Sequence, residues 1–180
     1  MHSLYNKSIL DNGITILTRS VESLRSVAVG IFIQAGSSDE RPANNGIAHF
    51  LEHMSFKKTK NRSAYDIVED IESRGGHINA YTSREVTAYY ARVLDTEIDT
   101  ALDVLCDIVT NSTYPIDEIQ REKSVVIEEI RDSLDTPQDI ANDAFMQQMF
   151  PNHPYGFPIM GNVDTVSSFD QNVIRDFVDN

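Results

Sequence analysis

Gly75-Gly76-His77-Ile78-Asn79-Ala80-Tyr81-Thr82, then Ser83-Arg84-Glu85, then Val86-Thr87-Ala88-Tyr89-Tyr90-Ala91-Arg92-Val93-Leu94: on this stretch the fold turns. The glycine pair stops a preceding helix. His77 to Thr82 then reads as one strand and Val86 to Leu94 as another, the second strongly β-forming through Val86, Thr87, Tyr89, Tyr90 and Val93. Upstream, Ser63 can cap a helix with Asp66 three residues on, and Ile67, Val68 and Ile71 form its buried face. Arg41 to Gly46 is a loop with helix-start chemistry, and a helix is expected over Ile47 to Phe56. Ser26 to Ala35, rich in Val and Ile, reads as a well-buried strand. Before it, Ser8 to Leu10 and Ile14 to Thr18 flank Asp11-Asn12-Gly13, a hairpin signal in which Asn-Gly supplies positive φ angles.

Downstream of Thr96 the pattern turns helical. Helices are expected over Glu97 to Thr110, Asp117 to Leu134 and Gln138 to Met149, with breaks at Pro115 and before Pro137. Pro151 to Gly161 is a Pro- and Gly-rich loop, and Ser167 to Val178 reads as one last short helix. No repeat, low-complexity tract or flexible linker interrupts the chain. Strands first and helices after predict an α+β domain, a sheet with helices on one face.

The 180 residues suffice for one domain with a hydrophobic core, and 41% apolar and 24% charged residues are ordinary for a globular chain. A formal net charge of -13 argues against nucleic acid as a partner, because phosphate binding needs clustered Lys and Arg. An acidic surface tolerates basic peptides, but it is more commonly a solubility feature. The single cysteine, Cys106, excludes an intramolecular disulfide; among Leu102, Leu105, Ile108 and Val109 it reads as a buried helix residue. Met1 to Leu10 shows no signal-peptide pattern, and Val27 to Ile33, the longest apolar run, is too short to cross a membrane as a helix. No membrane partner and a soluble location are expected.

The chemistry lies in His49-Phe50-Leu51-Glu52-His53. On a helix, His49 and His53 are one turn apart and project from one face, where two imidazole nitrogens can hold one Zn²⁺. Glu52, three residues after His49, can reach a water on that metal without ligating it, as a general base must. H-x-x-E-H is the inverted zincin signature. The bland alternative is a pair of packed histidines. A catalytic zinc site also needs a third protein ligand. His2 is terminal and His153 lies in the Pro-rich loop; His77 is the remaining histidine. The helix Asp117 to Leu134 offers Glu118, Glu122, Glu128 and Glu129. Glu122 and Glu129 are seven apart and share a face with Val125, Val126 and Ile130. A metal would offset the cost of burying one of them. They could equally be solvated charges paired with Lys123 or Arg131, and spacing alone does not choose.

The stretch Gly46 to Thr59 resembles the pitrilysin-type metallopeptidases, within them the branch of the mitochondrial processing peptidase β subunit and its bacterial relatives. Gly75 to Tyr90, Arg121 to Ile130 and Tyr155 to Gly161 agree with the same family in the expected order. The resemblance implies the LuxS/MPP-like metallohydrolase fold, a mixed, mostly antiparallel sheet with helices packed on one face. It implies His49 and His53 as zinc ligands, Glu129 as the third, Glu52 as general base and Glu122 as the acidic residue that orients the site. It also implies that Asn79 and Ala80 lie on the edge strand that receives an extended peptide by β-augmentation. Without it, Asn79 reads equally well as a turn or capping residue.

There are two departures. Lys58 stands where relatives usually carry glycine. Family chains are also about twice as long, with two similar halves. Residues 1–180 are therefore expected to be the N-terminal catalytic domain, stopping before its last strand, with a C-terminal half or partner subunit elsewhere. The implied function is zinc-dependent endopeptidase hydrolysis of extended peptides, in the bacterial cytoplasm or, for a eukaryotic source, the mitochondrial matrix. The alternatives are a non-catalytic structural or regulatory homologue, and a half that is inactive without its partner domain. The substrate is not legible.

Overall fold

The computed structural model describes residues 5–179; His2, set aside above as terminal, lies outside them. The chain runs through β1 (Asn6–Ile9), β2 (Thr15–Thr18), β3 (Ser26–Ile33), α1 (Ile47–Ser55), α2 (Ala64–Glu72), β4 (His77–Thr82), β5 (Thr87–Leu94), α3 (Ile98–Thr110), α4 (Ile116–Leu134), α5 (Pro137–Met149), α6 (Val163–Ser168) and α7 (Gln171–Asp179), with short 3-10 turns between. β3, β5 and β4 form an antiparallel sheet in that order, with Ile78 opposite Ala91 and Val29 opposite Ala91 on the other flank. β1 and β2 pair separately.

The sheet has one covered face. Ile78, Tyr89, Ala91 and Val93 point into a core with Ile67 and Ile71 of α2 and Val104, Leu105 and Ile108 of α3. A second core joins Ile47, Phe50 and Met54 of α1 to Val126 and Ile130 of α4, Phe169, and Ile174 of α7. Burying each such large side chain contributes roughly 1.5–3 kcal/mol. α1 lies between these cores. Its apolar residues Phe50 and Met54 are wholly buried, so the turn geometry aims His49 and His53 elsewhere.

Two local devices set where α1 begins. Gly46 takes φ +93, and a Cβ there would meet the Met160 carbonyl oxygen at 2.5 Å. Gly161, at φ +75, faces it, and its own Cβ would meet the Asn45 carbonyl oxygen at 2.3 Å. Two backbones in contact at left-handed positions require glycine at both. α2 starts as expected: the Ser63 hydroxyl accepts from Asp66 N–H, and the Asp66 carboxylate accepts from Ser63 N–H at 2.9 Å.

Several expectations need correction. β3 is not well buried: it is an edge strand whose residues alternate between half-buried and exposed, with Phe32 66% exposed. Val and Ile enrichment reports β-propensity, which an edge strand shares. Cys106 is exposed; the buried stripe of α3 is Ala101, Val104, Leu105 and Ile108, and residue 106 falls off it. Val68 is likewise 38% exposed. The last helix starts at Gln171, not Ser167, because Asp170 accepts from Asn172 and Val173 N–H, and an unexpected short helix, α6, precedes it, capped by Asn162 through Asp164 and Thr165 N–H. In the first hairpin only Gly13 has positive φ; Gly13 N–H donates to Leu10 C=O, and Ile14 N–H to the Asn12 side chain, making a three-residue loop. Lys58 is not at a positive φ, so a glycine is not required there. No helix among the described residues is long and apolar enough to cross a membrane.

Candidate metal centre

α1 presents its two imidazoles to α4. The His49 and His53 rings lie 4.6 Å apart. On α4, Ile119, Val126 and Ile130 are buried, and that packing turns Glu122 and Glu129 toward α1. Glu129 Oε2 stands 3.5 Å from His53 Nε2 and 3.9 Å from His49 Nε2. The ligand-capable atoms of these three residues all lie within 4.8 Å of one another. Donors this close suit a single divalent ion, whose nitrogen and oxygen ligands bind at roughly 2.0–2.2 Å. His49 and His53 differ in their second ring nitrogen. The Nδ1 of His49 is buried without a hydrogen-bond partner, and its Nε2 lies 3.9 Å from Glu129 Oε2. A metal at His49 Nε2 would leave Nδ1 as an N–H donor without an acceptor, unlike His53, whose Nδ1 is bonded to Glu122.

The other residues surround this group. Glu122, 4% exposed, accepts from His53 Nδ1 at 2.8 Å through Oε1 and holds Lys57 Nζ at 2.5 Å through Oε2. Its partners are therefore His53 and Lys57. Lys123 donates to the Ser167 carbonyl and Arg131 pairs with Glu128, so neither neutralises Glu122 or Glu129. Glu52 Oε2 accepts from the Thr82 hydroxyl at 2.6 Å, which ties the last residue of β4 to α1. Asn79 and Ala80 lie in β4, which among the described residues pairs with β5 on one side only. The Ala80 N–H bonds the Asn79 side-chain oxygen at 2.8 Å instead of β5, so it faces the free edge. The other described histidines are elsewhere: His77 is beside Glu72, and His153 accepts from Tyr155 N–H.

Electrostatics separates these groups. Burial, with the neighbouring His53 charge, lowers the His49 pKa to about 4, so His49 is a neutral imidazole at ordinary pH. Burial also pulls His53 down, but its bond to Glu122 and the charges of Glu129, Glu122 and Glu52 outweigh that and raise it. Glu122 is the reciprocal case, raised by burial but lowered on balance by His53 and Lys57. Glu52 is raised, chiefly by burial and further by Glu129, against the opposing Thr82 bond and His53. A raised carboxylate suits a proton acceptor that must also give its proton back.

Spacing alone passed over two residues. Lys57 follows the helix end and pairs across to α4, and Thr82 ends a strand; neither contact leaves a local sequence signal.

Residues 15–163 match the family model described as Insulinase (Peptidase family M16). An uncharacterized zinc protease of Bacillus subtilis is 44% identical over 167 residues, which cover 93% of this chain and 41% of that protein. The crystal structure of a Helicobacter pylori protease superposes with a TM-score of 0.91 at 27% identity, over 96% of this chain and 42% of that one. An M16 inactive domain from Pseudomonas fluorescens shares the fold, with a TM-score of 0.87 at 18% identity. The chain thus spans about two fifths of the length of such relatives.

Proposed function

This chain belongs to the insulinase family of M16 peptidases, and from that premise we propose that it is the zinc-binding, catalytic half of an endopeptidase acting on extended peptides. The observation that carries this reading is the convergence of His49, His53 and Glu129 from two helices, with Glu52 one helical step away. These three residues would hold zinc, and Glu122 would orient His53. When bound, zinc supplies Lewis acidity for the scissile carbonyl and makes water acidic enough to attack at neutral pH.

The chain's own groups do the rest. The Glu52 carboxylate takes a proton from the attacking water and returns it to the nitrogen of the leaving amine. Thr82 holds one Glu52 oxygen and leaves the other for that transfer. The free edge of β4 receives the peptide backbone: the Ala80 N–H exchanges its Asn79 contact for a substrate carbonyl, so ordering costs little new desolvation. Because β4 ends at Thr82, a peptide paired along it is delivered toward Glu52. A second half, or a partner subunit of the same family, would close the other side; the greater length of the relatives supports this.

The second reading is a non-catalytic homologue, favoured only by the shared fold of the Pseudomonas inactive domain. The complete set His49, Glu52, His53, Glu122 and Glu129 supports the enzyme. Glu52→Gln in the full protein separates them. Zinc content should be retained and peptide cleavage should fall by roughly 10²–10⁴-fold. Undiminished cleavage by the variant would remove Glu52 from the mechanism, and absence of cleavage by the wild-type protein with its second half present would favour the non-catalytic reading.

A further inference from the structure

The group that aims His49 lies outside the metal cluster. His53 is held at Nδ1 by Glu122, whereas His49 has no hydrogen-bonding partner at Nδ1. The position of the His49 ring therefore depends on packing and on the backbone of the first turn of α1. That turn rests on Glu40, in the loop between β3 and α1, which is 3% exposed. Glu40 Oε2 accepts from Gly46 N–H at 2.8 Å and from the Asn45 side-chain amide at 2.8 Å, and Oε1 accepts from Ala48 N–H at 2.9 Å. No ion pair reaches Glu40 among the described residues. A buried carboxylate without a cation is expensive: burial pushes the Glu40 pKa up to about 7, and the three donors and the positive end of a helix offset that expense only in part. Two of the donors are backbone groups that the helix itself leaves unsatisfied. The same node reaches further: the Asn45 amide also donates to the Pro158 carbonyl at 2.8 Å, beside the Gly46–Gly161 contact.

We propose that Glu40 is the positioning residue for His49, doing through the backbone of Gly46 and Ala48 what Glu122 does for His53 through its ring nitrogen. The inference rests on the metal-site reading above. Ala48 immediately precedes His49, so a first turn that loses its acceptor can unwind or shift, and the imidazole goes with it. Packing of Phe50 and Met54 would still hold the later turns, so the disturbance falls on His49 before His53.

Glu40→Gln tests this. Glutamine keeps the shape but has one acceptor oxygen, so its amide group faces an N–H donor and at least one of the three bonds is lost. Cobalt(II) serves as the probe, because its visible spectrum reports ligand geometry. The wild-type chain should bind one cobalt. The variant should bind it roughly 10–100-fold more weakly, in the range of outer-shell partners, with altered visible bands. In the metal-free variant the Ala48 amide should exchange faster with solvent. Glu40→Asp, which keeps the charge but falls one methylene short, should show a smaller change in the same direction and decides the matter if the glutamine variant does not fold. A folded variant with a lower melting temperature but wild-type cobalt affinity and spectrum overturns the proposal, and so does failure of both variants to fold. A wild-type chain that takes up no cobalt overturns the metal site itself.

Discussion

His49 and His53 stand one helical turn apart, yet the molecule treats them differently. His53 is fixed by a carboxylate that is itself fixed by Lys57, so its Nδ1 carries the proton and its Nε2 faces Glu129. His49 is buried and neutral, with no side-chain partner at Nδ1, and owes its place to the turn beneath it. A symmetrical motif has thus become an asymmetrical site. One imidazole is oriented by hydrogen bonds from another helix, the other by backbone anchoring. The two modes fail differently: a hydrogen bond can be deleted at one residue, whereas backbone anchoring is shared along a turn.

The largest expected effect ignores this difference. Each of His49→Ala and His53→Ala removes one of three protein donors, so each should cost zinc affinity more than the roughly 10–100-fold lost with an outer-shell partner. Equilibrium dialysis against a metal buffer measures both. A His49→Ala protein that keeps wild-type affinity would show that His53 and Glu129 bind the ion alone. The next effect exposes the difference. Glu122→Gln should weaken zinc binding by roughly 10–100-fold through His53, with the fold retained by circular dichroism. It should leave the His49 ring resonances in place while moving those of His53. Equal movement of both rings would mean that the imidazoles are coupled and not separately held.

The same contrast explains how much could be read from sequence. The H-x-x-E-H pentapeptide and its face were legible because one helical turn is a local rule. The strands 77–82 and 87–94 were legible because β-branched and aromatic residues cluster between turn residues. The expected helix Ser167 to Val178 corresponds to α7 begun four residues early, and α6 is too short, at six residues, to show a helical period, although Asn162 and Asp170 are both ordinary capping residues. The edge position of β3 is not legible because composition cannot say whether a strand has one neighbour or two. Glu129 could not be chosen over its neighbours by spacing, since its part in the cluster depends on the angle between α1 and α4. Lys57 and Glu40 were opaque for the same reason: each acts on a helix end across a tertiary contact.

The smallest effect, and the most direct reading of the asymmetry, is a titration of the metal-free protein. Burial lowers the His49 pKa to about 4, while the net effect of Glu122, Glu129 and Glu52 raises that of His53. The ordinary value is near 6.5. Between pH 6.5 and about 4 the unfolded chain binds a proton that folded His49 refuses. Stability should therefore fall as the medium is acidified through that window, by up to about 3 kcal/mol from this residue. His53 has the opposite sign. Its contribution is complete below pH 6.5 and is lost as pH rises through its elevated folded value. Ring-proton resonances should show two separate midpoints, one on each side of the ordinary value. His49→Asn should flatten the acid slope of urea stability and leave the slope above pH 6.5 intact. Two imidazoles titrating together near 6.5 would show that the burial of His49 and the grip of Glu122 on His53 do not distinguish them in solution.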